Sequence, residues 1–283
     1  MRLRDALRRG ANEISSAGSD EARLEAELLL CEALGVGRSR LYQQLNSEIL
    51  PEASAAFERL LARRLAHEPL TYIIGRREFF GREFEVTPAA IVPRPETEAL
   101  VELVIQFARE RFGGSPPTIA DIGTGSGVIA VSLAAELAGT NVIAIDESAD
   151  ALNLARRNAD HHEVAARIGF LRGDLLAPLG AAVDIIAANL PYVRTPDWEQ
   201  MPPEIREWEP RSGLDGGADG LRVIRRLLQQ APARLRPGGA LFAEIGEEQG
   251  ARAVAGARSA FPQASIELRR DLAGRDRVLV VLS

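Results

Sequence analysis

The stretch TIADIGTGSGVIAVSLAAELAGTNVIAID, residues 118–146, decides how the rest of the chain is read. A short apolar run leads into glycines 123, 125 and 127, an alanine-rich helical segment follows, and a second apolar run stops on Asp146. Strand, turn, helix and strand make a βαβ unit, in which the helix carries the chain back so that the strands lie parallel. Glycines in the turn permit positive φ and let the backbone approach a ligand closely. The helix behind them offers unpaired N–H groups at its start. Asp146 falls where an acidic side chain accepts hydrogen bonds from two ribose hydroxyls. A bare strand-to-helix turn would also use glycine; the acid at the end of the second strand directs the pattern toward an adenosine-containing ligand.

The same rhythm continues downstream. IGFLRGD (168–174), VDIIAANLP (183–191) and ALFAEIG (240–246) read as strands, with helical segments over 148–160 and 221–235. Such alternation predicts a mainly parallel sheet covered on both faces. The last stretch, SIELRRDLAGRDRVLVVLS (265–283), reads as two strands around a glycine-containing turn, an antiparallel hairpin at the sheet's edge. Upstream, residues 1–75 carry short amphipathic helices: Leu24, Leu28, Cys31 and Leu34 at helical spacing before Gly35, then Leu41 and Leu45, then Phe57, Leu61 and Leu65. They predict a small helical bundle, which pattern alone reads equally as a stabilising cap or as a docking module for a protein substrate. Residues 76–90, RREFFGREFEVTPAA, predict a β-hairpin linker. Residues 91–283 then form the α/β domain, with a helix running from about Glu96.

Composition narrows the function. The chain has 283 residues, 46% of them hydrophobic, and a formal net charge of -6. A mildly acidic balance argues against a protein built to grip nucleic acid backbone. Three histidines and one cysteine are too few and too scattered for a zinc site, so no metal is expected. Cys31, in ELLLCEAL, reads as a buried small hydrophobe and fits a reducing cytoplasm. The N-terminus lacks the apolar core of a secretory signal, and no uncharged run reaches the ~20 residues that span a bilayer.

The fourth strand ends in Asn189, Leu190, Pro191 and Tyr192, beyond the carboxyl edge of the sheet where ligands of open α/β folds bind. The glycine loop is G-x-G-x-G rather than the dinucleotide pattern G-x-G-x-x-G, and resembles the first motif of class I S-adenosylmethionine-dependent methyltransferases. NLPY resembles the N-P-P-Y turn of methyltransferases that act on planar amide or amino nitrogens; Leu190 stands where Pro is more usual. A carboxamide nitrogen is a poor nucleophile because its lone pair is delocalised. On this reading the Asn189 side-chain oxygen accepts one N–H of the target and the carbonyl of residue 190 accepts the other. Pro191 stiffens the turn, and Tyr192 offers an apolar face to the planar group. Positioning of this kind supplies roughly 7–11 kcal/mol.

EPLTYIIGRREFFG, VPRPETE, DIGTGSG, NLPYV, EPRSGLDGGADGL and RDLAGRDRV occur in the order seen in the release factor glutamine methyltransferases, the PrmC/HemK family. The resemblance implies a Rossmann-like class I methyltransferase sheet behind a helical N-terminal domain. It implies methylation of the glutamine of a Gly-Gly-Gln tripeptide in bacterial peptide-chain release factors, in the cytoplasm. Asp121, Gly123, Thr124, Gly125, Ser126, Gly127, Asp146, Asp174, Leu175 and Asn189 are then the expected contacts to S-adenosylmethionine. Asp121 would position its methionine part, and Asp174 with Leu175 would wall its adenine, although Asp174 also fits a helix N-cap. Arg94, Thr97 and Glu98 read either as shapers of the cofactor cleft or as a helix start with a surface ion pair. The glycines of residues 209–221 read as a mobile loop covering the site. A glutamine methyltransferase of a ribosomal protein shares these motifs; an adenine-N6 nucleic acid methyltransferase shares the turn, but would need a basic groove the sequence lacks.

Overall fold

The structure is a computed structural model that describes residues 1–271 and 273–283. Leu272, which the sequence reading places in the turn of the last hairpin, lies outside them. The chain divides into two compact units: residues 1–76 with 203–208, and residues 77–202 with 209–283.

The first unit is built from α1 (Leu3–Ser16), α2 (Ala22–Leu34), α3 (Arg38–Gln44), α4 (Pro51–Leu65) and α5 (Leu70–Ile74). Its core gathers Leu7, Ile14, Ala26, Leu29, Leu30, Leu41, Phe57 and Leu61. Helix α2 is not buried along the leucine stripe its sequence suggests: Ala26, Leu29 and Leu30 face the core, Cys31 is buried beside them, and Leu24 and Leu28 stay partly exposed. Two acids are buried on α2 instead, because each has partners. Glu25 takes a bidentate pair from Arg64 at 2.8 and 3.1 Å, and Glu27 accepts from Arg38, Arg23 and Tyr42. Arg64 also donates to Glu204, in the 203–208 segment that packs with this unit.

A two-stranded hairpin follows, β1 (Arg76–Phe79) and β2 (Arg82–Glu85). Its two-residue turn has positive φ at both Phe80 (51°) and Gly81 (69°), the primed geometry that matches strand twist. The second unit continues with α6 (Thr97–Phe112), β3 (Thr118–Ile122), α7 (Val128–Glu136), β4 (Asn141–Asp146), α8 (Ala149–His161), β5 (Ile168–Arg172) and β6 (Val183–Ala188). After these come α9 (Thr195–Trp198), α10 (Pro203–Arg206), which belongs to the first unit, α11 (Arg222–Gln230), β7 (Leu235–Glu244), α12 (Gly250–Ala260), β8 (Ser265–Arg270) and β9 (Asp276–Leu282).

Among the described residues, seven strands form one sheet in the order β5-β4-β3-β6-β7-β9-β8. The pairs from β5 through β7 are parallel, and β9 runs antiparallel to both β7 and β8. Alternate residues of each strand enter opposite cores. Ile119, Val142, Ala144, Ile185 and Phe242 pack with α6 and α7; Ala120, Ile122, Ile145, Ile186 and Leu241 pack with α11 and α12. Because β3 lies between β4 and β6, the glycine loop, Asp146 and Asn189 emerge side by side at one sheet edge. No helix among the described residues is long and apolar enough to cross a membrane.

Candidate active site

The loop after β3 is shaped by its glycines. Gly123, Gly125 and Gly127 have φ of 71°, 55° and 83°, all left-handed. At Gly123 a Cβ would sit 2.9 Å from Leu190 Cδ2, and at Gly127 it would sit 2.9 Å from the Ala155 Cβ on α8. The first glycine therefore lets the loop lie against the Asn189–Tyr192 turn; the last lets α7 lie against α8. The Gly123 and Thr124 amides both donate to the Ile145 carbonyl, at 2.9 and 3.0 Å. Asn158, fully buried on α8, donates to the Ser126 carbonyl at 2.8 Å while its oxygen accepts from the Glu85 amide, tying loop to hairpin.

A cavity of about 600 Å³ opens beside this loop. Gly123, Gly125, Asp146, Leu175, Asn189, Leu190 and Pro191 line it, so residues from four strand ends meet as the sequence reading expects. Asp146 accepts the Gly125 amide on one oxygen and the Ser148 amide on the other, each at 2.9 Å. A carboxylate oxygen has two acceptor positions, so both remain able to accept from a ligand.

Of the other expected contacts, Asp121, Thr124 and Ser126 lie behind this wall. Asp121 is fully buried beneath the loop, accepting from the Thr124 hydroxyl at 2.6 Å and the Ala130 amide at 3.1 Å, while its second oxygen has no partner among the described residues. Burial pushes its carboxyl up to about 7, against the pull of those two hydrogen bonds. The structure thus makes Asp121 a brace of the loop rather than part of the cavity wall. Thr124 and Ser126 are likewise buried. Asp174 pairs with Arg226 and caps no helix; a turn closed by the Ala177 amide on its carbonyl follows it. Leu175, with φ of 49°, is what reaches the cavity from this segment.

The turn after β6 is held by Thr97, which the sequence offered as a cleft shaper or a helix start, and by Glu244 and Gln249, which it left unassigned. Asn189 Nδ2 donates to Thr97 Oγ1 at 2.8 Å, Thr97 donates to Glu244 Oε2 at 2.7 Å, and the Tyr192 hydroxyl donates to Glu244 Oε1 at 3.0 Å. Glu244, at the end of β7, is fully buried; burial raises its carboxyl, against the hydrogen bonds from Thr97 and Tyr192. Burial and the adjacent Glu244 push the Tyr192 phenol well up. Gln249 donates to the Tyr192 carbonyl at 2.7 Å. The Leu190 carbonyl takes no hydrogen bond among the described residues. The signal for Glu244 is visible in retrospect: a lone acid at the carboxyl end of the apolar run ALFAEIG.

Residues 209–221 lie against this turn, Arg211, Gly213 and Asp215 among them line the cavity, and two of their glycines serve close packing. Val193 bridges to Asp215, and a Cβ at Gly216 or Gly220 would come within 2.5 Å of the Pro191 carbonyl or 2.2 Å of the Tyr192 carbonyl. Asp215 is pushed down to about 2, first by the Thr195 hydroxyl, then by the Gly217 amide and Arg211. Glu209 accepts from Arg94 at 2.5 Å and from the Val92 amide at 3.0 Å, so two of the quoted motifs meet in one ion pair. Glu98 stands in the first turn of α6, as the helix-start alternative has it, and accepts the Phe80 amide at 2.9 Å, holding the hairpin turn.

Comparison with known proteins finds relatives along nearly the whole chain. The family described as PrmC N-terminal domain matches residues 5–75, and that described as Methyltransferase small domain matches residues 101–201. A solved ribosomal protein L11 methylase from Lactobacillus delbrueckii subsp. bulgaricus shares the fold at a TM-score of 0.51 and 22% identity, covering 72% of this chain and 88% of its own. The release factor glutamine methyltransferase of Cereibacter sphaeroides is 43% identical over 99% of this chain and 98% of its own. That of Moorella thermoacetica is 43% identical over 98% and 97%. With such identity along nearly the whole chain, the protein belongs to the release factor glutamine methyltransferase family.

Proposed function

We propose that this protein transfers a methyl group from S-adenosylmethionine to the side-chain nitrogen of the glutamine in the Gly-Gly-Gln motif of bacterial peptide-chain release factors, in the cytoplasm. One observation carries the reading: Asn189, its amide nitrogen committed to Thr97, borders the same cavity as the glycine loop and Asp146. The cavity fits the cofactor. Asp146 keeps an acceptor position on each oxygen for two ribose hydroxyls, Gly123 and Gly125 leave room for close backbone approach, and Leu175 supplies an apolar wall. Bound there, S-adenosylmethionine supplies a methyl carbon made electrophilic by a positive sulfur.

The protein's own part is positional. Asn189 Oδ1 accepts one N–H of the glutamine amide and the Leu190 carbonyl accepts the other, which leaves the nitrogen lone pair directed at the methyl donor. The nitrogen sheds one proton to water as it gains the methyl group. Leaving either N–H unpaired in a buried site would cost about 1–3 kcal/mol. Tyr192 borders the amide plane, and Leu190 substitutes for the usual Pro without altering a contact made by main chain. Residues 1–75 act as the docking domain for the release factor, residues 76–90 as linker, and residues 91–283 as the catalytic domain.

Radiolabelled methyl transfer tests this. Offered release factors, a ribosomal protein and DNA, the enzyme labels the release factors, and glutamine-to-alanine replacement in their tripeptide removes the label. Labelling of the ribosomal protein or DNA instead would overturn the assignment.

A further inference from the structure

A primary amide presents an acceptor at one end and two donors at the other, in nearly the same volume. What fixes the orientation of Asn189 therefore fixes what the site recognises. The Thr97 hydroxyl stands between Asn189 Nδ2 and Glu244 Oε2, at 2.8 and 2.7 Å. It has one proton. Glu244 is a fully buried carboxylate whose other oxygen accepts from Tyr192. The Thr97 proton goes to that carboxylate, so Thr97 has only lone pairs left for Asn189. Asn189 must meet it with its NH₂ group, and its oxygen turns away.

We propose that Glu244 is a positioning residue that sets substrate specificity: acting through Thr97, it holds Asn189 with its oxygen toward the target, so that the site accepts glutamine and rejects glutamate. This rests on the glutamine reading above and adds the device that enforces it. A glutamine amide brings the N–H that the Asn189 oxygen requires. A glutamate carboxylate brings only acceptors, and would face the Asn189 oxygen and the Leu190 carbonyl with no proton between them. Rejection of this kind exceeds what shape could give, because the two side chains are nearly isosteric.

The relay can be inverted without changing its volume. In Glu244→Gln, the new NH₂ can donate to Thr97, which frees the Thr97 proton for the Asn189 oxygen and lets Asn189 offer its NH₂ to the target. Thr97→Val removes the relay, whereas Thr97→Ser keeps the hydroxyl. The experiment compares a release factor with its counterpart bearing glutamate in place of the glutamine, the first as substrate and the second as competitive inhibitor.

The expected result is that wild-type enzyme binds the glutamate form at least tenfold more weakly. Glu244→Gln and Thr97→Val should narrow that ratio about tenfold and lower kcat about a hundredfold with little change in KM, and Thr97→Ser should restore both. A ratio unchanged in both variants, whatever happens to kcat, would reduce Glu244 to a structural residue and overturn the proposal. Should Glu244→Gln fail to fold, the Thr97 pair decides by the same ratio. Wild-type enzyme that does not label the release factor would instead overturn the glutamine reading and this proposal together.

Discussion

The two halves of the candidate site are built from different materials. The cradle around Gly123–Gly127 is made of backbone: left-handed glycines, two amides on the Ile145 carbonyl, and a carboxylate tethered by the amides of Gly125 and Ser148. The clamp at Asn189–Tyr192 is oriented by side chains, through Thr97 and the buried Glu244. Backbone geometry is set by chain connectivity and fails only where a side chain is forced into it. A side-chain relay fails when any one member loses its polarity. On the proposed reading the cradle, holding a ligand common to many reactions, is the more tolerant structure, and the clamp, selecting one nitrogen, is the more brittle.

The largest effect that can break this comparison comes from Asn189→Ala. Removing the acceptor should lower methyl transfer roughly 100- to 1,000-fold, the range for a lost preorganised contact, while cofactor affinity measured by calorimetry changes only a few-fold. Near-normal turnover would show that the clamp does not select the nitrogen.

Beneath the cradle, Asp121 provides a test by pH. Burial lifts its carboxyl from the ordinary 3.8 to about 7. Between those values the unfolded chain releases this proton and the folded chain keeps it. The stability Asp121 contributes is therefore complete below about 3.8 and is lost as pH rises through about 7. Asp121→Asn has nothing to titrate. Urea unfolding should show wild-type protein losing a few kcal/mol relative to this variant between pH 4 and pH 7.5. Parallel profiles would mean that Asp121 is not the buried acid its surroundings indicate.

Asp146→Ala acts directly on the ligand contacts proposed for the cradle. Hydrogen bonds to a charged group are worth about 1.5–3 kcal/mol, so cofactor affinity should fall roughly 10- to 100-fold. At saturating cofactor kcat should recover, because Asp146 has no part in the clamp. A kcat loss that saturation does not repair would join the two halves that the structure keeps distinct.

What was legible in the sequence divides along the same line. The α/β alternation, the edge hairpin and the grouping of Gly123, Asp146 and Asn189 follow from local period and from strand ends, which a sequence displays in order. The relay does not, because Asn189 and Thr97 are 92 residues apart and Thr97 and Glu244 are 147 apart. Burial also hid from view what depends on partners: Glu25 and Glu27 are interior only because arginines reach them, and Asp121 braces the loop from below because its strand is covered on both faces. Asp174 adds a partner the sequence did not show: one of its oxygens accepts from Arg226, while the other has no partner among the described residues.

The smallest effect lies where the halves touch. Gly123→Ala forces an L-residue into φ of 71° and sets its Cβ 2.9 Å from Leu190 Cδ2. The conformational part costs about 1–2 kcal/mol and cannot be relieved by a neighbour. The contact part is with the far end of a flexible side chain, and Leu190→Ala removes it. A double-mutant cycle therefore separates the two, and contacting residues of this kind couple by about 0.5–3 kcal/mol. The coupling in stability should be favourable and near the bottom of that range. The informative quantity is the same cycle read in methyl transfer. In the proposed clamp Leu190 carries the carbonyl that receives the second N–H, so pushing its side chain should disturb the clamp through the cradle. Turnover of Gly123→Ala should then fall about tenfold and be partly restored when Leu190 is also shortened. Strict additivity in turnover would mean that cradle and clamp touch without communicating.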